Sequence, residues 1–354
     1  MMTFFCPTCN QKLVAIGNEW RCPQCSFCLK ETQGVWVDMS VAEEKDKSYY
    51  DAIYNDEHGQ KWFQGLNRQS ILKKILESIS LSYRRERFFR RHLKGNNKTI
   101  LDLACGAGRD YFTKYGYVVG VDLSYDALAI AKQRYQLVVQ SGVTHLPFPD
   151  ESFDYVVSSD FLGHVRNDEK DALQLEIQRV LKKDGRTIHV IETDSNNIFF
   201  RFAHRYPELF QEYFVEKIGG HVGLELPTEC VARWEKNGFV LPVVKKIWGV
   251  IWPVQYYIDS FDGKYKEKSR LIRALVRVAK IVSRIKIIQA GANIVLNPIN
   301  SIVESLTPLD RGQGLMLVGK KSGHATSVKS ESGFVYNFSE EPTGTHMLLL
   351  DEVK

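Results

Sequence analysis

The tightest constraint on this chain lies at residues 99–110, where the apolar run Thr99-Ile100-Leu101-Asp102-Leu103 passes directly into Ala104-Cys105-Gly106-Ala107-Gly108. A short buried strand that empties into small residues can turn sharply. Gly106 and Gly108 then let the backbone approach a ligand with no Cβ in the way. A Gly-x-Gly is weak evidence by itself. The third glycine of a dinucleotide fingerprint would fall at position 111, which is Tyr111, so a nicotinamide-type phosphate site is disfavoured.

The following segments alternate strand with helix. Residues 117–124 form a second apolar run ending at Asp122, whose carboxylate can accept both hydroxyls of a ribose. A helix is expected over 125–135, a strand over 155–159 and a helix over about 168–182. A Lys-Lys-Asp-Gly turn closes that helix, and another strand follows at 186–191. Alternation of this kind predicts a parallel sheet covered on both faces. Residues 230–239, 240–248 and 314–319 then read as helix, strand and strand.

In this order and spacing, LDLACGAG, VVGVDLS, LPFPDESFDYVVSS and RVLKKDG resemble the class I S-adenosylmethionine-dependent methyltransferases. Among these the chain is most similar to the type 11 group of quinone- and small-molecule-methylating enzymes. The likeness is strong over 99–195 and weaker to 321. It implies an α/β fold, a Rossmann-like seven-stranded sheet with helices on both faces, and S-adenosyl-L-methionine as cofactor. Carried over position by position, Asp102, Ala104, Cys105, Gly106 and Gly108 would line the methionine end. Asp122 would hold the ribose, Leu123 would meet the adenine, and Asp160 after the fourth strand joins the cofactor set. Such sequences often carry an acid shortly before LPF. Here the stretch is Ser141-Gly142-Val143-Thr144-His145, so the adenine contact is expected from the backbone near Val143.

Five of the seven cysteines fall between positions 6 and 28. Cys6-x-x-Cys9 and Cys22-x-x-Cys25 can each present two thiolates from a tight turn, and together they complete a tetrahedral Zn²⁺ site. Cys28 is a fifth donor that could replace Cys25. A redox-active pair would not need two such turns. The segment resembles the small zinc ribbon that precedes some bacterial methyltransferases. A four-thiolate site leaves no open position for catalysis, so its expected role is docking or stabilisation.

Methyl transfer to a hydroxyl gains from a base, and histidine titrates in the right range. His164 follows the fourth strand, where cofactor and acceptor should meet, and reads equally as a loop cap. His221 sits among glycines in Gly219-Gly220-His221-Val222-Gly223, as a shaped loop or a plain turn. Glu192-Thr193-Asp194-Ser195-Asn196-Asn197 follows the fifth strand, either to hold acceptor hydroxyls or to cap the next helix, and Asp194 is its candidate catalytic residue.

The expected organisation is a zinc ribbon at 1–40, a helical cap at 41–98, a methyltransferase domain at 99–321 with insertions at 198–226 and 249–312, and a polar tail at 322–354. The insertions read as a lid, with aromatics between 199 and 214 lining a pocket or simply forming core. Lys266, Arg270, Arg273, Arg277, Lys280 and Arg284 make a basic stripe on a helix. It either touches an anionic membrane surface or faces water from a lid. Arg84, Arg85, Arg87, Arg90 and Arg91 interleave with aromatics, as an RNA surface or a solvated helix face. A net charge of +5 excludes no partner. No apolar run is long enough to span a bilayer, and the start lacks a secretory leader, so a cytoplasmic protein is expected. The leading function is methylation of a small-molecule or lipid-linked hydroxyl on a sugar, glycan or quinone-like ring. RNA methylation is second, and a non-catalytic cofactor-binding module third.

Overall fold

The computed structural model describes residues 3–40, 81–197, 220–247 and 306–322. It also describes scattered positions between 200 and 211, positions 277 and 278, and the pairs 328–329 and 335–336. The N-terminal segment forms a small antiparallel meander of β1 (Val14–Ile16), β2 (Glu19–Arg21), β3 (Cys28–Thr32) and β4 (Val35–Asp38). Helix α1 (Leu81–His92) leads into β5 (Lys98–Leu103), followed by β6 (Gly116–Asp122), α2 (Tyr125–Ala131), β7 (Leu137–Gln140) and β8 (Phe153–Ser159). Then come α3 (Lys170–Val180), β9 (Leu181–Glu192), α4 (Pro227–Lys236), β10 (Phe239–Ile247) and β11 (Gly314–Lys321).

The strand order is β1-β2-β3-β4-β7-β6-β5-β8-β9-β11-β10. From β7 to β10 this is the expected seven-stranded sheet, with β11 running antiparallel between β9 and β10. The ribbon does not stand apart. β4 pairs in parallel with β7, Trp36 opposite Val139 and Val37 opposite Gln140, so the ladder runs on to eleven strands. An uncovered β7 edge would present unpaired backbone groups, and the ribbon removes that edge.

Alternate residues of the central strands serve two cores, as a period of two requires. Ile100, Val118, Val138 and Val157 pack with Phe88 and Phe89 of α1 and Leu128 of α2. Leu101, Leu103, Val119, Val121 and Val139 pack with Leu173 and Ile177 of α3, Trp234 of α4, and Phe4, Leu13 and Leu29 of the ribbon. Phe4 meets Trp20, Trp36 and Phe148 at ring centroid distances of 5.7, 5.6 and 6.1 Å, so ribbon and sheet share one apolar interior.

Two expectations need correction. Helix α2 ends at Ala131, not 135; its start is capped by Ser124, whose hydroxyl accepts the Ala127 N–H (3.2 Å). Tyr135 leaves the helix because its buried hydroxyl binds Asp102. The Lys-Lys-Asp-Gly segment is not a separate turn, since β9 begins at Leu181, which pairs with Phe153. The basic stripe at 266–284 and most of both insertions lie outside the described residues; Arg277 and Val278 are described and exposed. Within the tail, Val328–Lys329 pairs with Val335–Tyr336. Among the described residues no helix is long and apolar enough to cross a membrane.

Candidate active site

The turn after β5 is shaped by positive φ angles at Ala104 (49°), Gly106 (54°) and Gly108 (77°). A left-handed non-glycine residue costs about 1–2 kcal/mol, so Ala104 marks a turn whose shape the surroundings impose. The Gly106 N–H donates to Asp122 Oδ2 (2.8 Å), and the Ser124 N–H donates to Asp122 Oδ1 (2.9 Å). Asp122 thus ties the glycine turn to the start of α2 through both carboxylate oxygens.

Asp102 lies beneath this turn, fully buried. Its Oδ2 accepts the Tyr135 hydroxyl (2.6 Å), with Arg109 Nη1 3.8 Å away, and Tyr135 in turn accepts the Arg109 N–H (2.7 Å). Burial pushes the Asp102 carboxyl up to about 6, against the pull of Arg109 and the Tyr135 hydrogen bond. Asp102 therefore braces the turn from within, and its Oδ1 has no protein partner. Gln140, at the end of β7, donates its amide to the Leu123 carbonyl (2.7 Å) and buries an Oε1 with no protein partner.

Next to the turn, at the carboxyl ends of β8 and β9, a second constellation forms. Asp160 has φ 59°, and its Oδ2 meets Arg85 of α1 (2.6 Å) and the Ser159 hydroxyl (2.9 Å). Arg85 is thus turned inward, and Arg90 bonds Glu86 and lies over the Tyr111 ring at 5.6 Å, while Arg87 and Arg91 are exposed. His164 and His221 lie face to face, ring centroids 4.4 Å apart at 30°. Glu192 Oε1 stands 3.9 Å from His221 Nε2. Burial raises the Glu192 carboxyl to about 7, and the charge on Asp160 adds to the effect while His221 opposes it.

Two glycines permit this meeting. A Cβ on Gly163 would stand 3.1 Å from the His221 ring and 3.2 Å from Glu192 Cβ. A Cβ on Gly223 would sit 1.7 Å from the Val165 carbonyl. The Gly223 N–H donates to the Gly163 carbonyl (3.0 Å), and buried Lys170 donates to the Gly223 carbonyl.

Asp194 is not brought to this cluster through any contact in the described residues. Its Oδ1 bonds His204 Nε2 (2.8 Å) and accepts the Ser195 N–H (2.6 Å). The neighbouring Asn197 caps the next turn by accepting the Phe200 N–H (2.9 Å), in line with the capping alternative for this stretch. Val143 packs partly buried against the core, beside the Ser141 N–H, which donates to the Asp122 carbonyl (3.3 Å). Tyr135 and Gln140 were not singled out by sequence, Arg85 was read only as part of a basic run, and Glu192 only within the 192–197 stretch. Glu192 could have been singled out, as the last residue of a strand at the ligand-binding end of the sheet.

The four N-terminal cysteines do converge. Cys6 and Cys25 sulfurs are 3.4 Å apart, Cys9 and Cys22 3.3 Å, and Cys9 and Cys25 4.0 Å. Four thiolates around one tetrahedral Zn²⁺ stand roughly 3.8 Å apart, so the donor set and spacing fit that ion. Burial pushes the Cys22 thiol up, yet the Gln24 and Cys25 amides and the Cys9 and Cys25 thiols bring it down to about 7. Cys28, at the start of β3, is not part of the cluster.

A methyltransferase-domain family profile matches residues 101–189. A demethylmenaquinone methyltransferase of Bacillus licheniformis is 30% identical over 162 residues, 36% of this chain and 68% of that protein. One from Listeria welshimeri is 27% identical over 176 residues, 42% of this chain and 70% of that protein. Among solved structures, Haemonchus contortus phosphoethanolamine N-methyltransferase 2, complexed with phosphomonomethylethanolamine and S-adenosylhomocysteine, aligns at TM-score 0.47 and 18% identity. That alignment covers 79% of this chain and 61% of the nematode chain.

Proposed function

Because the chain belongs to the S-adenosylmethionine-dependent methyltransferases, we propose that it methylates a hydroxyl group on a small-molecule or lipid-linked acceptor. The observation that carries this reading is the meeting of His164, His221 and Glu192 beside the glycine turn. An amine acceptor is already nucleophilic, whereas a hydroxyl must shed a proton as its oxygen attacks. When bound, S-adenosylmethionine supplies an electrophilic methyl on a sulfonium. Asp122 holds the ribose, Leu123 and the backbone near Val143 face the adenine, and Gln140 Oε1 is placed to accept from the adenine amine. Residues 104–108 line the methionine end, braced by Asp102. The cluster receives the acceptor hydroxyl, and the walls around it exclude water that would compete. The substrate in the relatives' names, a demethylmenaquinone, makes a quinone-like ring the first acceptor to try.

Cys6, Cys9, Cys22 and Cys25 hold a structural Zn²⁺ in this reading, closing the ribbon that covers β7.

The test is incubation of the full chain with methyl-labelled S-adenosylmethionine and a cell extract, then separation into organic-soluble, small polar, protein and RNA fractions. Label in the first two, carried on oxygen, is the expected result. Label confined to RNA or protein overturns the proposal.

A further inference from the structure

We infer that His164, Glu192 and His221 bind a divalent transition-metal ion that orients and polarises the acceptor hydroxyl. This deepens the hydroxyl-methylation reading and rests on it.

The donors are of the right kind. Two imidazoles and one carboxylate suit Mn²⁺, Fe²⁺, Co²⁺ or Zn²⁺ and, unlike four thiolates, leave coordination positions open for an exchangeable oxygen ligand. They are also close. One ligand atom from each residue lies within 4.8 Å of the other two, and His221 Nε2 is 3.9 Å from Glu192 Oε1. Donors sharing an ion at about 2.1 Å stand roughly 3.0–3.4 Å apart, so shifts of about 1 Å close the shell. Side-chain rotation supplies such shifts without moving the strands.

Charge points the same way. Glu192 Oε2 is buried with no protein partner, and so is Oδ1 of Asp160, whose other oxygen is taken by Arg85 and Ser159. The two carboxylates interact, and Arg85 meets Asp160. A buried acidic oxygen with an unused lone pair is costly unless a proton or a cation meets it. The loops are close-packed around this arrangement: a Cβ on Gly163 would stand 3.1 Å from the His221 ring, and one on Gly223 would sit 1.7 Å from the Val165 carbonyl.

With an ion in place, an acceptor hydroxyl bound to it ionises more readily and its proton leaves to solvent. The oxygen lone pair then forms the C–O bond to the methyl carbon. The C–S bond breaks with its electron pair left on sulfur, so the sulfonium charge is discharged and no redox partner is needed.

The experiment uses the full chain with its ribbon loaded with zinc, titrated with Mn²⁺ and followed by electron paramagnetic resonance. Mn²⁺ disfavours thiolate ligands, so the ribbon does not compete. The expected result is one bound Mn²⁺ per chain. Its affinity falls at least about tenfold in Glu192→Gln and in His221→Ala, with cofactor affinity unchanged. Nitrogen couplings from imidazole in the wild-type spectrum provide a readout that does not depend on any variant folding. Absence of a bound Mn²⁺, absence of nitrogen coupling, or equal affinity in both variants overturns the site. Label transferred to hydroxyls without metal binding removes the ion and leaves the proposed function. Metal binding with label only on nitrogen or carbon keeps the ion site and removes its role in activating a hydroxyl.

Discussion

Cys6, Cys9, Cys22 and Cys25 in the ribbon at one edge of the sheet, and His164, Glu192 and His221 at the carboxyl ends of the interior strands β8 and β9, both gather ligand-type side chains from separate stretches of chain. They differ in what is left over. The cysteine sulfurs converge on one another at 3.3 to 4.0 Å, with the Gln24 N–H donating to Cys22 Sγ (3.4 Å), and their ribbon is sealed by Phe4, Leu13 and Leu29 into the same interior as the central strands. The histidine–glutamate cluster keeps a buried carboxylate oxygen without a protein partner and sits where β8 and β9 end. A closed set of donors suits architecture, and an open one suits a ligand that comes and goes. The supports differ too: one cluster is tied by strand pairing with β7, the other by a glycine loop pinned through Lys170.

The largest expected effect is on the closed side. Cys22→Ser removes one of four ligands from a site of the kind that contributes about 10 kcal/mol to folding. Because the ribbon shares its core with the sheet, the whole chain should melt in one transition, lowered by more than about 10 °C. Thermal denaturation by circular dichroism checks this. A separate early transition, with the main one unmoved, would break the idea that ribbon and sheet are one cooperative unit. On the open side, Gly223→Ala places a Cβ 1.7 Å from the Val165 carbonyl and should shift the loop that carries His221. A misplacement of about 1 Å costs roughly 100-fold in rate, so kcat should fall by about that factor while cofactor Kd, measured by calorimetry, stays put. Between the two clusters, Asp122→Asn should weaken cofactor binding at least about tenfold, since one charge-assisted hydrogen bond to the ribose is worth 1.5 kcal/mol or more. Its melting temperature should change little.

Six of the seven central strands were legible as local apolar runs, whereas the short β7 (Leu137–Gln140) was not picked out. The pairing of β4 with β7 was not, since hydrophobic period says which face of a strand is buried but not which edge it finds. The same limit explains Arg85. Its surroundings in sequence read as a solvated basic face, and only the fold supplies Asp160 as its partner. Tyr135 left its helix early for a similar reason, because Asp102 is distant in sequence. In the cluster, His164 and His221 each drew notice separately, but nothing local says that two loops will close on each other through Gly163 and Gly223. Asp194 was favoured over Glu192 as an acid after the fifth strand. The strand end decides otherwise: Glu192 is the last ladder residue, opposite Gly314, whereas Asp194 lies beyond it with His204.

The smallest expected effect is on acid sensitivity. His189 in β9 is fully buried, hydrogen-bonded to the Ser158 hydroxyl (2.7 Å) and to Thr187, with its ring 4.8 Å from Trp234. Burial lowers its pKa from 6.5 to about 3. The unfolded chain therefore binds a proton near pH 6.5 that the folded chain refuses. Stability is fully present above pH 6.5 and falls as pH drops toward 3, by up to about 1.4 kcal/mol per pH unit. Glu192, raised to about 7, and Asp102, raised to about 6, bind protons more readily folded than unfolded, so over the same range they act with the opposite sign. His189→Gln keeps hydrogen-bonding capacity without the titration. Thermal melts between pH 7 and 5 should show a shallower loss in the variant, by roughly 2–4 °C per pH unit. If variant and wild type run parallel, His189 contributes nothing to acid sensitivity.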